Sequence, residues 1–187
     1  MFHVKHFLEK TLKELNIPYE SYKLEKLFLY LEELILWNKK INLISRRLQK
    51  KEILNKLLLP SLTPYHIINE GEKILDFGAG GGIASIPLKI FKPEIKLHLL
   101  ESKKKPVIFL EHINLLLDLG AQTINNFVLS KGDLKEEYDW VFARAVNPEQ
   151  IPKGIANKML YYGEYTGEKF ACQEKMSFEK NIISILA

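Results

Sequence analysis

The stretch ILDFGAGGGIAS, residues 74–85, decides how this chain is read. It sets four glycines in the five positions 78–82, directly behind a short apolar run and Asp76. An apolar run, a glycine-rich turn and a helical pattern over Ile83–Phe91 make the first βα unit of a mainly parallel α/β sheet. In such sheets ligands lie outside the carboxyl ends of the strands, so the loop is placed to meet one. Its spacing then discriminates between ligands. A P-loop needs Lys-Ser or Lys-Thr after its glycines, and here Ile83, Ala84 and Ser85 follow. A dinucleotide loop needs glycine at its first, third and sixth positions. Frames starting at Gly78 and Gly80 reach Ile83 and Ser85 instead.

Working outward, Lys73–Phe77 reads as the first strand and Lys96–Leu100 as the second. Lys103–Leu119 reads as a long helix closed by Gly120, Asn126–Leu129 as a third strand and Asp139–Ala143 as a fourth. Pro148–Tyr161 reads as a further helix ending at Gly163, and the final segment carries no clear period. On the amino side the first sixty residues are helical in pattern. Val4–Leu15 forms a short helix, and Leu24, Leu27, Phe28, Leu31, Leu34, Ile35 and Asn38 recur at three- and four-residue steps. A third helix over Gln49–Leu59 is predicted to stop at Pro60, with residues 61–72 as a linker. The expected fold is a single domain: a helical N-terminal cap over residues 1–70 on a doubly wound α/β core over residues 71–187.

Bulk properties narrow the class. The chain has 187 residues, 47% hydrophobic and 27% charged, as befits one globular domain with a real core rather than a disordered chain. No segment is apolar for the eighteen or so residues that a membrane helix requires. The opening MFHVKHFLEK is charged throughout and lacks a secretory pattern. A lone cysteine, Cys172, cannot form an internal disulfide, so a cytoplasmic location is expected. No protein-held metal is expected either, since His3 and His6 are the one loose pair of ligand type. The net charge is +4, unevenly spread. Between Lys39 and Lys56 stand Lys39, Lys40, Arg46, Arg47, Lys50, Lys51 and Lys56 against one acid, Glu52, and Lys103-Lys104-Lys105 makes a second run. Two such runs suit a polyanion.

The arrangement Asp76-x-Gly78-x-Gly80-x-Gly82 resembles the first motif of S-adenosylmethionine-dependent methyltransferases. That cofactor has no pyrophosphate to cradle. Bare glycines let the backbone approach the chain joining its two ends, and Asp76 at the strand tip can hold its ammonium. The helix start near Gly82 favours its carboxylate. Glu101, at the end of the second strand, can accept hydrogen bonds from both ribose hydroxyls.

Longer blocks narrow the resemblance. LDFGAGGGIASIPLKI, LLESKKKPVIFL and YDWVFARAV, with YLEELILWNKKINLIS upstream, are similar to the bacterial small-subunit ribosomal RNA guanine-N7 methyltransferases, the glucose-inhibited division protein B family. The resemblance runs from about residue 24 to residue 148. It implies a Rossmann-like class I methyltransferase fold, S-adenosyl-L-methionine as cofactor, and a guanine in the decoding-region loop of 16S rRNA as substrate, naked or in a small-subunit intermediate. It implies cofactor contacts from Asp76, Gly78, Ala79, Gly80, Gly82, Glu101 and Ser102, with Asp133 on the adenine side. It places Arg144 at the mouth of the active site as a substrate-positioning group, and Trp37, Asn38 and Asn42 in the cap motif. RNA phosphates would meet Lys39, Lys40, Arg46, Arg47, Lys103, Lys104 and Lys105. A monomer is expected, because no coiled-coil heptads appear. The chain departs from the family pattern at Ala84-Ser85, where Pro-Gly is usual, and at Lys105-Pro106, where Lys-Arg is usual. It departs again at KLLLPS (Lys56–Ser61), which stands for Arg-His-x-x-Asp-Ser, and late in the chain, where Thr166-Gly167 is nearest to Lys-Gly. A methyltransferase of the same fold acting on another substrate, and a catalytically silent RNA-binding member, are the alternatives.

Overall fold

The computed structural model describes residues 2–134, 136–178 and 181–187. Seven strands form one sheet: β1 (Lys73–Phe77), β2 (Lys96–Glu101), β3 (Gln122–Asn125), β4 (Tyr138–Ala143), β5 (Ala156–Tyr161), β6 (Cys172–Phe178) and β7 (Asn181–Leu186). Their order is β3-β2-β1-β4-β5-β7-β6. The first five pair in parallel, and β7 runs antiparallel between β5 and β6. The strand order reverses direction between β1 and β4, which opens a crevice at their carboxyl ends. This is the Rossmann-like α/β arrangement expected from the sequence.

Alternation along the strands divides the core in two. Ile74, Leu97, Leu99, Trp140, Phe142 and Leu160 face the helices: α1 (Phe2–Glu14), α2 (Ser21–Asn38), α3 (Lys50–Ile53), α4 (Ile86–Phe91) and α5 (Lys104–Leu116). Leu8 and Leu12 of α1 and Leu24, Leu27, Leu31 and Leu34 of α2 join the same cluster, so the cap and the sheet share one core. At about 2 kcal/mol for each buried leucine, this stripe does much to hold the cap down. On the other face, Leu75, Leu100, Val141 and Met159 pack against Val128, Ile151, Ile155 and Tyr165 from loops. The connections after β3 and β4 run there with single 3₁₀ turns, Lys131–Asp133 and Pro148–Gln150. No helix among the described residues is long and apolar enough to cross a membrane, and no group of three or more His, Cys, Asp or Glu could hold a metal ion.

The structure corrects several predicted elements. Residues 148–161 are not a helix: Pro152 cannot donate within one, Gly154 has φ +76°, and β5 follows from Ala156. That strand escapes a period search because only Met159 and Leu160 of its six residues are buried. The third strand is Gln122–Asn125, four residues earlier than predicted. Its apolar neighbours mislead: Phe127 and Leu129 are 68% and 75% exposed, while the polar QTIN forms the sheet's edge, as edge strands often do. Helix α5 ends at Leu116 and turns on Asp118 (φ +47°) before Gly120. The helix begun at Lys50 passes Pro60 instead of stopping there. It loosens into a π turn over Leu54–Leu58 and tightens into a 3₁₀ run over Leu59–His66, whose first turn tolerates the proline. The unparsed final segment supplies β6 and β7.

Candidate functional site

The glycine loop leaves β1 after Phe77. Gly78, Gly80 and Gly82 have φ of +72°, +55° and +73°, a left-handed conformation costing other residues about 1–2 kcal/mol. Their surroundings differ. A Cβ on Gly78 would lie 2.7 Å from Val146 Cγ2, and one on Gly82 would collide with Ile86. Packing requires those two glycines. A Cβ on Gly80 would meet nothing nearer than 3.8 Å, so its bare Cα borders open space.

That space is a cleft of about 310 Å³. Asp76, Gly78, Ala79 and Gly80 line one side, and Arg144, Ala145 and Val146 at the end of β4 another. Leu43, Ile44, Ser45 and Leu48, from the loop after α2, close over it. Asn38 shapes that loop: buried at the end of α2, its Oδ1 accepts the N–H groups of Leu43 (2.9 Å) and Ile44 (3.0 Å). Trp37 instead packs on Phe109 and His112, and Asn42 is exposed.

Two acids stand at the strand tips. Asp76 is 1% exposed; its Oδ2 accepts the Ser85 hydroxyl at 2.5 Å, and its Oδ1 accepts no bond from the described residues. Burial pushes its carboxyl up to about 7, with Glu101 adding to the rise and Ser85 and Arg144 opposing it. Glu101 is also buried, but its oxygens are engaged. Oε2 accepts the Gly80 N–H (2.9 Å) and Oε1 the Lys103 N–H (2.8 Å), tying the glycine loop to the end of β2. A carboxylate has about four acceptor sites; with the Ser102 hydroxyl also donating to Oε1, though at the long distance of 3.5 Å, one is left free for a ligand. Asp133 lies outside the cleft lining, exposed. It accepts the N–H groups of Leu129 and Ser130, which hold its carboxyl below the usual range.

Arg144 lies at the cleft wall and is largely spent on backbone. Its Nη1 donates to Leu57 O (2.7 Å) and, at 3.4 Å, to the Ser61 hydroxyl, and its Nη2 donates to Lys56 O (2.9 Å). Those carbonyls belong to the π turn that runs into Pro60, whose ring nitrogen has no N–H to donate back to it. The guanidinium also lies 5.2 Å from the centre of the Tyr162 ring. The next residue, Ala145, has φ +57°, a strained conformation of the kind found at functional sites.

A sequence profile of the family described as rRNA small subunit methyltransferase G matches residues 23–177. The chain belongs to that family. Curated proteins named ribosomal RNA small subunit methyltransferase G include one from Syntrophotalea carbinolica, 34% identical over 142 residues, covering 74% of this chain and 65% of the relative. The protein of that name from Oceanobacillus iheyensis is 37% identical, covering 73% and 59%. That from Macrococcus caseolyticus is 36% identical, covering 93% and 75%. The chain thus spans about three fifths of the length of the first two. Among solved structures, a putative RNA methyltransferase from Pyrococcus horikoshii superposes with TM-score 0.53 at 14% identity, covering 83% of this chain and 96% of that one. An O-methyltransferase family protein from Burkholderia thailandensis gives TM-score 0.55 at 9% identity, covering 72% and 57%. At such identities these two show the shared fold.

In this member of the rRNA small subunit methyltransferase G family, three hydroxyls that sequence reasoning missed clamp the glycine loop. Tyr30 donates to Gly81 O (2.6 Å), Ser61 to Ile83 O (2.5 Å) and Tyr162 to Ala84 O (2.9 Å). They come from α2, the 3₁₀ run and the residue after β5, so no local motif links them. The one legible signal was Tyr30, a hydroxyl inside the apolar stripe of α2. No residue of the two basic runs is among those lining the cleft. Lys39, Lys40, Arg46 and Arg47 are exposed around the loop that closes it, and Lys103–Lys105 are exposed behind Glu101. Lys50 and Lys56 are instead paired with Glu32 and Glu52.

Proposed function

We propose that this chain is an S-adenosylmethionine-dependent methyltransferase that modifies N7 of a guanine in the decoding-region loop of 16S rRNA. The observation that carries this reading is the cleft at the reversal of strand order. There the bare Cα of Gly80 and the open Oδ1 of Asp76 face one space, with Arg144 on its wall. These residues fit the cofactor: Asp76 would hold its ammonium, the Gly78–Gly80 backbone its connecting chain and Glu101 its ribose. When bound, the cofactor supplies an electrophilic methyl on a sulfonium. Guanine N7 already carries a free lone pair, so the chain need not remove a proton before attack. The task of the cleft is alignment and exclusion of water, with Arg144 fixing the wall against the cap. In this reading residues 1–70 act as the cap of a single domain, and the protein works as a cytoplasmic monomer on rRNA or a small-subunit intermediate.

Labelled cofactor incubated with unmodified small-subunit RNA should place label in one 7-methylguanosine. Cofactor binding without transfer would favour a silent RNA-binding member, and transfer to another acceptor would reassign the substrate. Replacing Lys103, Lys104 and Lys105 together by Ala should weaken RNA binding roughly tenfold and lower the slope of log affinity against log salt by about two, while sparing cofactor binding. An unchanged slope removes these lysines from the interface.

A further inference from the structure

Ser85 is fully buried and immediately precedes α4. Its N–H is bonded to Gly82 O and its hydroxyl donates to Asp76 Oδ2. No other donor among the described residues bonds to that carboxylate, and Asp76 lines the cleft. One oxygen is therefore held from inside the fold while the other is open to ligand. We infer that Ser85 is a positioning residue for the cationic end of the bound cofactor: its hydroxyl, bonded to Oδ2, keeps the Asp76 carboxylate in its ionised form with Oδ1 left to accept from an ammonium donor. This inference rests on the cofactor reading proposed above.

The need for such a donor follows from the surroundings of Asp76. The groups coupled to it are Glu101 at the end of β2, Arg144 at the end of β4, Tyr30 from α2 and Tyr162 after β5. Burial and Glu101 drive the carboxyl toward its neutral form, which would offer a proton where an ammonium needs an acceptor. Arg144 opposes this through space, but its bonds go to Lys56, Leu57 and Ser61. Ser85 alone opposes it by direct donation, and a hydrogen bond to the charged form favours that form.

Carboxyl ¹³C titration of the unliganded protein should show Asp76 ionising about one pH unit higher in Ser85→Ala than in wild type, a tenfold change in its ionisation constant. Ser85→Thr, which keeps the hydroxyl, should restore the wild-type midpoint. The affinity for S-adenosylhomocysteine, which carries the same ammonium, should rise with pH and level off above the Asp76 midpoint. In Ser85→Ala that rise should be displaced by the same interval, with affinity returning to within about twofold of wild type at pH 9. A loss of affinity equal at every pH would mark a merely structural role and overturn the proposal. An unshifted titration together with pH-dependent binding would likewise overturn it while leaving the cofactor reading intact. A shifted titration with no binding by either protein would overturn the cofactor reading and leave the hold of Ser85 on Asp76 standing.

Discussion

Asp76→Asn is expected to abolish S-adenosylmethionine binding and, in the same protein, to raise the melting temperature of the unliganded fold at pH 8. Both effects come from one buried carboxylate. The amide removes the charge that an ammonium would meet, and losing a charge-assisted hydrogen bond of about 3 kcal/mol weakens binding more than 100-fold. Without ligand the same charge is a burden. The carboxyl titrates near 7 in the fold against 3.8 in the open chain, so folding takes up a proton between those values. The contribution of Asp76 to wild-type stability is then greatest below pH 3.8, falls as pH rises to about 7, and is flat above. The total change is roughly 4 kcal/mol. Asparagine does not titrate and escapes that decline. At about 2–4 °C per kcal/mol for a chain of this size, the variant should melt several degrees higher at pH 8, the difference vanishing near pH 4. Calorimetric titration and thermal denaturation across pH read both quantities. Unchanged affinity would remove the ammonium role. A lower melting temperature at pH 8 would show that Ser85 and Arg144 more than offset the burial.

Arg144→Ala is expected to destabilise the protein by about 3–5 kcal/mol and lower its melting temperature by roughly 10 °C. The guanidinium is the direct bond between the end of β4 and the π turn of the cap; its removal takes this donor from Lys56 O and leaves Leu57 O with the Ser61 hydroxyl, which also reaches Ile83 O. Each hydrogen bond from a charged donor contributes about 1.5–3 kcal/mol. Arg144→Lys should recover only part of the loss, because an ammonium cannot span two carbonyls as the planar fork does. Methyl transfer should fall along with stability, because the wall of the cleft shifts with the cap. If the melting temperature moves by less than about 2 °C while transfer is lost, Arg144 acts on substrate and not as a strut.

These two residues also mark how far the sequence could be read. Asp76 was legible because the acid, the alternating glycines and the strand before them are contiguous. Their geometry follows from local rules: positive φ for glycine and a strand tip for the acid. Arg144 was legible as a place but not as a job, because its partners are backbone carbonyls more than eighty residues away. A backbone carbonyl leaves no mark in sequence. Glu101 shows the same division, since nothing local to β2 announces that its carboxylate bonds Gly80.

By itself, then, the sequence determined the α/β class, the glycine loop with its acid, the family and the two basic runs. Each of these is written in residues close along the chain. Only the tertiary structure decided that β5 is a strand and that the polar QTIN is paired, since strand pairing depends on a neighbour and not on a residue's own preference. It also decided that three distant hydroxyls hold the loop, that an arginine ties the end of β4 to the π turn, and that one oxygen of Asp76 is left open. Such choices rest on which buried donors and acceptors meet after the chain has packed, and packing in a parallel sheet joins residues that sequence order keeps apart.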